Sequence, residues 1–223
     1  MIEIQKICKS YGKKAVLKDF SIKVPDGKIV GILGQNGCGK STLLSILFGL
    51  VPCNSGSFLF DSKDLLKDTT LRNKIVAYVP QELALIDELT AFDNLNFWYK
   101  KDELEKSLKD GFLHMLGIND FLKVPVNKMS GGMKKRLSLG CAIHNFPKIL
   151  LLDEPTASLD LECKQKIYDY LKEFTKAGGT VFVVTHEVQE IELTDICYII
   201  KDGLAQEYKY DGNIQKLSKE IWG

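Results

Sequence analysis

The stretch Gly31-Ile-Leu-Gly34-Gln-Asn36-Gly37-Cys38-Gly39-Lys40-Ser41-Thr42-Leu-Leu-Ser45 decides how the rest of the chain is read. It runs from an apolar, strand-like lead (residues 28–33) through a glycine-rich turn into a helical run over residues 41–48. Gly34, Gly39, Lys40 and Ser41 fit the spacing G-x-x-x-x-G-K-[ST] of a phosphate-binding loop. Glycines let the backbone turn with its N–H groups facing inward, so phosphate oxygens meet donors rather than side chains. The helix that follows adds the positive end of its dipole to the same anion. Lys40 supplies a mobile cation for the outer phosphates, and the Ser41 hydroxyl suits a magnesium ion. A strand before the loop and a helix after it are the context this motif requires. The candidate nucleotide-binding set is therefore Gly34, Asn36, Gly37, Cys38, Gly39, Lys40, Ser41 and Thr42, and the ligand class is a nucleoside triphosphate.

The 223 residues suit one large domain or a core with a subdomain. Hydrophobic residues make up 45% and charged residues 26%, an ordinary soluble composition. A formal net charge of +1 argues against a nucleic-acid binder that relies on a broad basic field, and no nucleic acid is expected as a partner. Arg72 and Arg136 are the only arginines, so bidentate phosphate clamps are scarce and lysine carries the positive charge. The six cysteines show no C-x-x-C pair and no zinc spacing, which reads as free thiols in a reducing cytosol. Cys38, next to Lys40 and a helix start, sits where a thiol pKa can fall, although a small residue in a tight loop is the simpler reading. Met1-Ile-Glu-Ile reads as the start of a strand rather than a signal peptide. No run approaches the roughly 18 apolar residues that span a bilayer, so any membrane-spanning part would be another chain.

Residues 1–7 and 17–24 alternate as strands, and Pro25-Asp26-Gly27 is a turn. A short strand is read over 57–60 and a buried one over 74–79, ending at Pro80-Gln81. The pattern is helical over 89–122, with a long segment at 102–116, and again from Ser130 to about His144. A strand at 148–152 ends in Asp153-Glu154-Pro155, a helix covers 161–176, and a β-branched strand at 180–185 ends at His186. Asp202-Gly203 joins a closing strand pair, and a terminal helix covers 213–221. Strands alternating with helices give an α/β core with a mostly parallel sheet. The helical stretch from about 85 to 145 interrupts that alternation as an inserted subdomain, leaving 1–84 and 146–223 as the core.

Ligands in such sheets lie at the carboxyl ends of strands, so Asp153 and Glu154 should face the crevice of the phosphate loop. Asp153 is the candidate magnesium holder, and Glu154 the group that orients or deprotonates the attacking water. In Met129-Ser130-Gly131-Gly132-Met133-Lys134-Lys135-Arg136, a serine cap followed by two glycines makes a second helix start with exposed donors. The Lys134-Lys135-Arg136 run reads as a solvated helix face. Phe92, Leu95, Phe97 and Trp98 read as core of the helical region, and His114 and His144 as structural.

The order of phosphate loop, glutamine after a strand, Ser-Gly-Gly helix, apolar-Asp-Glu strand, Ser158-Leu159-Asp160 and strand-end histidine resembles an ABC-type ATPase subunit over essentially the whole chain. That resemblance implies a P-loop NTPase core, an N-terminal antiparallel β subdomain and the inserted helical subdomain. It implies ATP and Mg2+ as cofactors, with Ser41, Gln81 and Asp153 toward the metal. It gives catalytic roles to Lys40, Gln81, Glu154 and His186, and stacks Tyr11 on adenine; read alone, Tyr11 is a packing residue and Gln81 a loop residue. Ser130, Gly131 and Gly132 would reach a second subunit's γ-phosphate, and Ser158-Leu159-Asp160 would bridge the dimer. The implied partners are a second ABC ATPase subunit, as homodimer or heterodimer, and a separate transmembrane permease chain. The implied place is cytoplasmic, peripheral on the cytoplasmic face of the membrane. Met133 departs from the glutamine usual after Ser-Gly-Gly, which puts that polar contact in doubt but spares the backbone donors.

The function expected is ATP hydrolysis driving a membrane transporter. The residues from Leu89 to Leu95 resemble exporter subunits more than importers. The alternative is a soluble ABC-type ATPase that remodels a macromolecular or cofactor-assembly complex. A GTP switch is disfavoured because Asn73-Lys74 and Asn127-Lys128 both lack the aspartate of a guanine-reading motif.

Overall fold

The computed structural model describes residues 1–82 and 84–222. The chain opens with strands β1 (Ile2–Tyr11), β2 (Lys14–Val24) and β3 (Ile29–Leu33), followed by helix α1 (Lys40–Phe48). Strands β4 (Ser55–Phe60) and β5 (Lys63–Asp64), helix α2 (Thr69–Ile75) and strand β6 (Val76–Val79) come next. Helices α3 (Ala91–Asn96), α4 (Lys101–Asp110), α5 (Phe112–Met115) and α6 (Gly131–Ala142) then precede strand β7 (Ile149–Asp153). The chain continues with α7 (Leu161–Lys176), β8 (Thr180–Val184), α8 (Val188–Glu192), β9 (Ile196–Lys201), β10 (Leu204–Tyr208) and α9 (Ile214–Trp222).

Two sheets result. The smaller is antiparallel in the order β2-β1-β4-β5, and the larger runs β10-β9-β3-β8-β7-β6 with only β10 antiparallel to its neighbour. The central strands IVGIL, ILLLD and TVFVV are buried throughout, because helices and the small sheet cover both faces of a parallel sheet. Strand alternation divides their side chains. Val30, Ile149, Leu151, Phe182 and Val184 pack with α1 and the small sheet, while Leu150, Leu152, Val181 and Val183 pack with α6, α7 and the other helices. The phosphate loop follows β3, and β6, β7 and β8 end beside it.

Three local readings change. The strand expected over 74–79 starts at Val76, because Asp68 accepts the Leu71 N–H at 2.9 Å and caps α2, which holds residues 69–75. The long segment at 102–116 breaks at Gly111, where a Cβ would stand 2.7 Å from the Ser107 Cα. Of the cluster read as core, only Leu95 is buried; Phe92, Phe97 and Trp98 are 42%, 65% and 54% exposed. The chain turns after α3 so that Tyr99 enters instead, donating its hydroxyl to the Gly140 carbonyl at 2.8 Å. His144 is structural: its ring lies against Trp98 at 5.2 Å, and its Nδ1 is 3.0 Å from the Cys141 carbonyl.

Candidate nucleotide site

Steric demand explains the glycines of the loop. Gly34 has φ 144°, and a Cβ there would lie 2.7 Å from Cys38 Sγ and 2.9 Å from the Ile200 carbonyl oxygen. Gly39 has φ 115°, and its Cβ would meet Val16 Cγ1 at 2.7 Å. An L side chain is strained at either φ, so the turn requires glycine twice over. No side chain caps the start of α1 and no acidic residue lies in its first turn, so its leading N–H donors are left to an anion. The buried Lys40 ammonium donates to the carbonyls of Gly34 at 2.7 Å and Gln35 at 3.0 Å. Burial lowers its pKa, opposed by the charges of Cys38, Glu154 and Asp153.

Burial also pushes the Cys38 thiol up rather than down, because desolvation outweighs the nearby Lys40 charge. The helix-start setting alone suggested the opposite direction.

The two carboxylates leave β7 in different directions. Asp153 ends the strand, 3% exposed. Glu154 takes φ 48°, a left-handed conformation that turns it out of the strand, while its N–H donates to the Val184 carbonyl at 2.9 Å. Gln81, just past the end of β6, donates its amide N–H to Glu154 Oε2 at 3.0 Å. His186 Nε2 stands 4.0 Å from Glu154 Oε1. Burial first and Lys40 second hold the His186 pKa below its ordinary 6.5, against Glu154, so the ring is neutral at pH 7.

Gln81 and Glu154 border a cleft of about 520 Å³ that brings them together with Asn36, Gly37, Gly39, Lys40, Ser41 and Thr42. Val16 and Val184 complete its wall and carry no signal in sequence, since each acts only by packing. His186 borders a smaller adjoining recess with Glu154. Tyr11 lies elsewhere, half exposed at the end of β1 with the Lys9 ammonium 4.9 Å from its ring centre. Ser130, Gly131 and Gly132 line no part of the cleft. The Ser130 hydroxyl accepts the Met133 N–H at 3.2 Å as the cap of α6. Asp160 likewise caps α7 by accepting the Cys163 N–H at 2.8 Å.

A sequence profile described as "ABC transporter" matches residues 17–157, from β2 through the carboxylate strand. The chain belongs to the ABC transporter family, as an ATP-binding subunit. This ABC subunit is 36% identical to the linearmycin resistance ATP-binding protein LnrL of Bacillus subtilis, over 91% of this chain and 67% of that protein. It is 34% identical to the lantibiotic transport ATP-binding protein SrtF of Streptococcus pyogenes, over 97% and 95%. The spermidine/putrescine import ATP-binding protein PotA of Spiroplasma citri is 36% identical, and the chain spans 65% of its length. Among solved structures, a dimeric ATP-binding cassette in a post-hydrolysis state bound to ADP and Pi superposes with a TM-score of 0.83. It is 30% identical, over 94% of this chain and 98% of that one. The ABC subunit is accordingly an ATP-hydrolysing enzyme. Among the described residues no helix is long and apolar enough to cross a membrane.

Proposed function

We propose that this subunit powers an exporter through ATP-driven closure of a dimer on the cytoplasmic face of a membrane, coupled to a separate transmembrane permease. The observation that carries the chemistry is the hydrogen bond of Gln81 to Glu154 at the mouth of the phosphate-loop cleft. In-line attack on a γ-phosphate needs positioning and charge neutralisation rather than a covalent intermediate. The glycine loop and the uncapped start of α1 hold the phosphates, and Lys40 leaves its two carbonyls to meet the outer ones. Glu154 accepts a proton from the attacking water, Gln81 fixes the carboxylate and the water, and neutral His186 donates an N–H to the γ-phosphate. Tyr11, half exposed at the end of β1 and outside the phosphate cleft, stacks on an adenine that extends beyond that cleft.

Among the described residues no group of three or more His, Cys, Asp or Glu could hold a metal ion. Magnesium fits what is present, because it takes one or two carboxylates with hydroxyl, phosphate and water oxygens. Asp153, the Ser41 hydroxyl and the Gln81 amide oxygen are such donors. When bound, the ion neutralises charge on the β- and γ-phosphates.

Ser130, Gly131 and Gly132 present their donors to the nucleotide of a partner ABC subunit, the same chain or a related one, and Ser158-Leu159-Asp160 lies at that junction. The helical region of about 85–145 acts as a subdomain that meets the permease, and 1–84 with 146–223 forms the nucleotide core. The outward direction rests on the likeness of Leu89–Leu95 to exporter subunits. Relatives named for linearmycin resistance and lantibiotic transport are compatible with that direction, and the import-named polyamine relatives define the competing outcome.

Glu154→Gln tests the reading, because it keeps the hydrogen-bonding shape and removes the base. It should bind ATP within about twofold of the parent while turnover falls by roughly a hundredfold or more. Near-normal hydrolysis would refute the assignment. Loaded with ATP and mixed with detergent-solubilised membranes of its source, the variant should retain a polytopic membrane protein. Retention of soluble proteins alone would favour an assembly-remodelling ATPase, and inward transport by the recovered complex would reverse the proposed direction.

A further inference from the structure

The Lys134-Lys135-Arg136 run is not a solvated face. Lys135 and Arg136 are 7% and 6% exposed, and they face opposite ways across α6. Arg136 turns to the helices, donating to the carbonyls of Leu116 at 2.8 Å and Gly117 at 3.3 Å with its guanidinium over Phe121. Lys135 turns to the sheet. Its ammonium donates to the Pro80 carbonyl at 3.1 Å and, at the long end of hydrogen bonding, to the Asp153 carbonyl at 3.5 Å.

Those two carbonyls belong to the residues immediately before Gln81 and Glu154. Strands β6 and β7 pair in parallel as far as Val79 and Leu152. Pro80 comes next, and having no N–H it cannot extend the ladder. The strand ends would be free to spread where Gln81 and Glu154 begin. Lys135 bridges them from behind, and the Gln81–Glu154 hydrogen bond of 3.0 Å closes the ring in front. A buried ammonium is costly unless paired, and a leucine or methionine would fill this place without that cost. The carbonyl contacts are charge-assisted and directional, which is what holding two backbone segments at a fixed spacing requires.

We infer that Lys135 is a positioning residue for hydrolysis, fixing the ends of β6 and β7 so that Gln81 and Glu154 keep their mutual geometry. It acts through those two residues and touches no nucleotide. The inference rests on the proposed role of Glu154 and adds to it a backbone clamp carried by the helix that Ser130 caps.

The test compares Lys135→Met, which keeps length and loses the donors, with Lys135→Gln, which keeps N–H donors on a shorter stem. For each, the kcat and KM for ATP, the affinity for ATP and the melting temperature are measured. The Met variant should lose roughly tenfold or more in kcat with KM and ATP affinity within about twofold, and the Gln variant about threefold. A Met variant within about twofold of the parent kcat, equal losses in both variants, or a loss carried by KM would overturn the role. Should the Met variant not fold, a cycle of Lys135→Gln with Gln81→Ala decides. The double variant should lose less kcat than the product of the two single losses, whereas losses that multiply would refute action through Gln81. A parent protein without ATPase activity would instead remove the hydrolytic reading itself.

Discussion

Helices α1 and α6 both begin beside glycine, and their first turns are built for different ends. Ahead of α1, Gly39 is held at φ 115° against Val16, and no side chain takes the leading N–H groups. At α6, Ser130 takes the Met133 N–H at 3.2 Å. Gly131 has open space where a Cβ would go, whereas a Cβ on Gly132 would run into Cys163 of α7. So the glycines of the first are demanded by a backbone turn that leaves donors free for an anion. In the second, one glycine serves helix packing and one donor is already used. Similar letters thus give an uncapped, anion-ready turn at α1 and a capped, tightly packed start at α6 that lines no part of the cleft.

The largest expected effect lies at the first start. Gly39→Ala introduces a strained φ and a collision with Val16 inside the loop, and ATP affinity should fall by about a hundredfold or more, measured by equilibrium binding of a fluorescent ATP analogue. Retention of affinity would show that the cradle tolerates a different turn and would erase the contrast. Next, Gly132→Ala should destabilise the fold by about 1–3 kcal/mol through overpacking on Cys163, and Cys163→Ala in the same chain should recover part of that loss in chemical denaturation. No recovery would place the strain elsewhere. Ser130→Ala should cost about 1 kcal/mol, a fall of roughly 2–4 °C in melting temperature, because it leaves the Met133 N–H uncapped.

The smallest effect concerns Cys38. Burial raises its pKa, so at pH 7.5 it carries less thiolate than an ordinary thiol. Its alkylation should therefore be slow near neutrality and quicken as pH rises past the ordinary thiol range, read by mass spectrometry of the labelled peptide. ATP should protect it, and a fully labelled loop should no longer bind nucleotide. Rapid labelling at neutral pH would reverse the assigned direction.

Much of this was legible in sequence wherever a signal is contiguous. The phosphate loop, the apolar strand ending in Asp153-Glu154 and the helix at 161–176 each carry their own boundary residues. The mostly parallel main sheet follows from strands that alternate with helices. Lys135 was not legible, because a lysine in a basic run is ordinarily solvated and only the crossing of α6 behind β6 and β7 buries it. Phe92, Phe97 and Trp98 differ for the converse reason: a cluster of large apolar side chains reads as core, and the turn after α3 gives that place to Tyr99. The Gln81–Glu154 bond joins residues 73 positions apart and depends on β6 lying beside β7, a pairing that no local pattern encodes.

In the proposed dimer, the cradle at α1 and the donors at α6 complete each other across two subunits. Light scattering of Glu154→Gln protein with Mg-ATP, with bound nucleotide counted in the same peak, decides whether they do. The expected result is a dimer that holds one ATP per subunit and dissociates when ATP is removed. A monomer that binds one ATP with full affinity would contradict it.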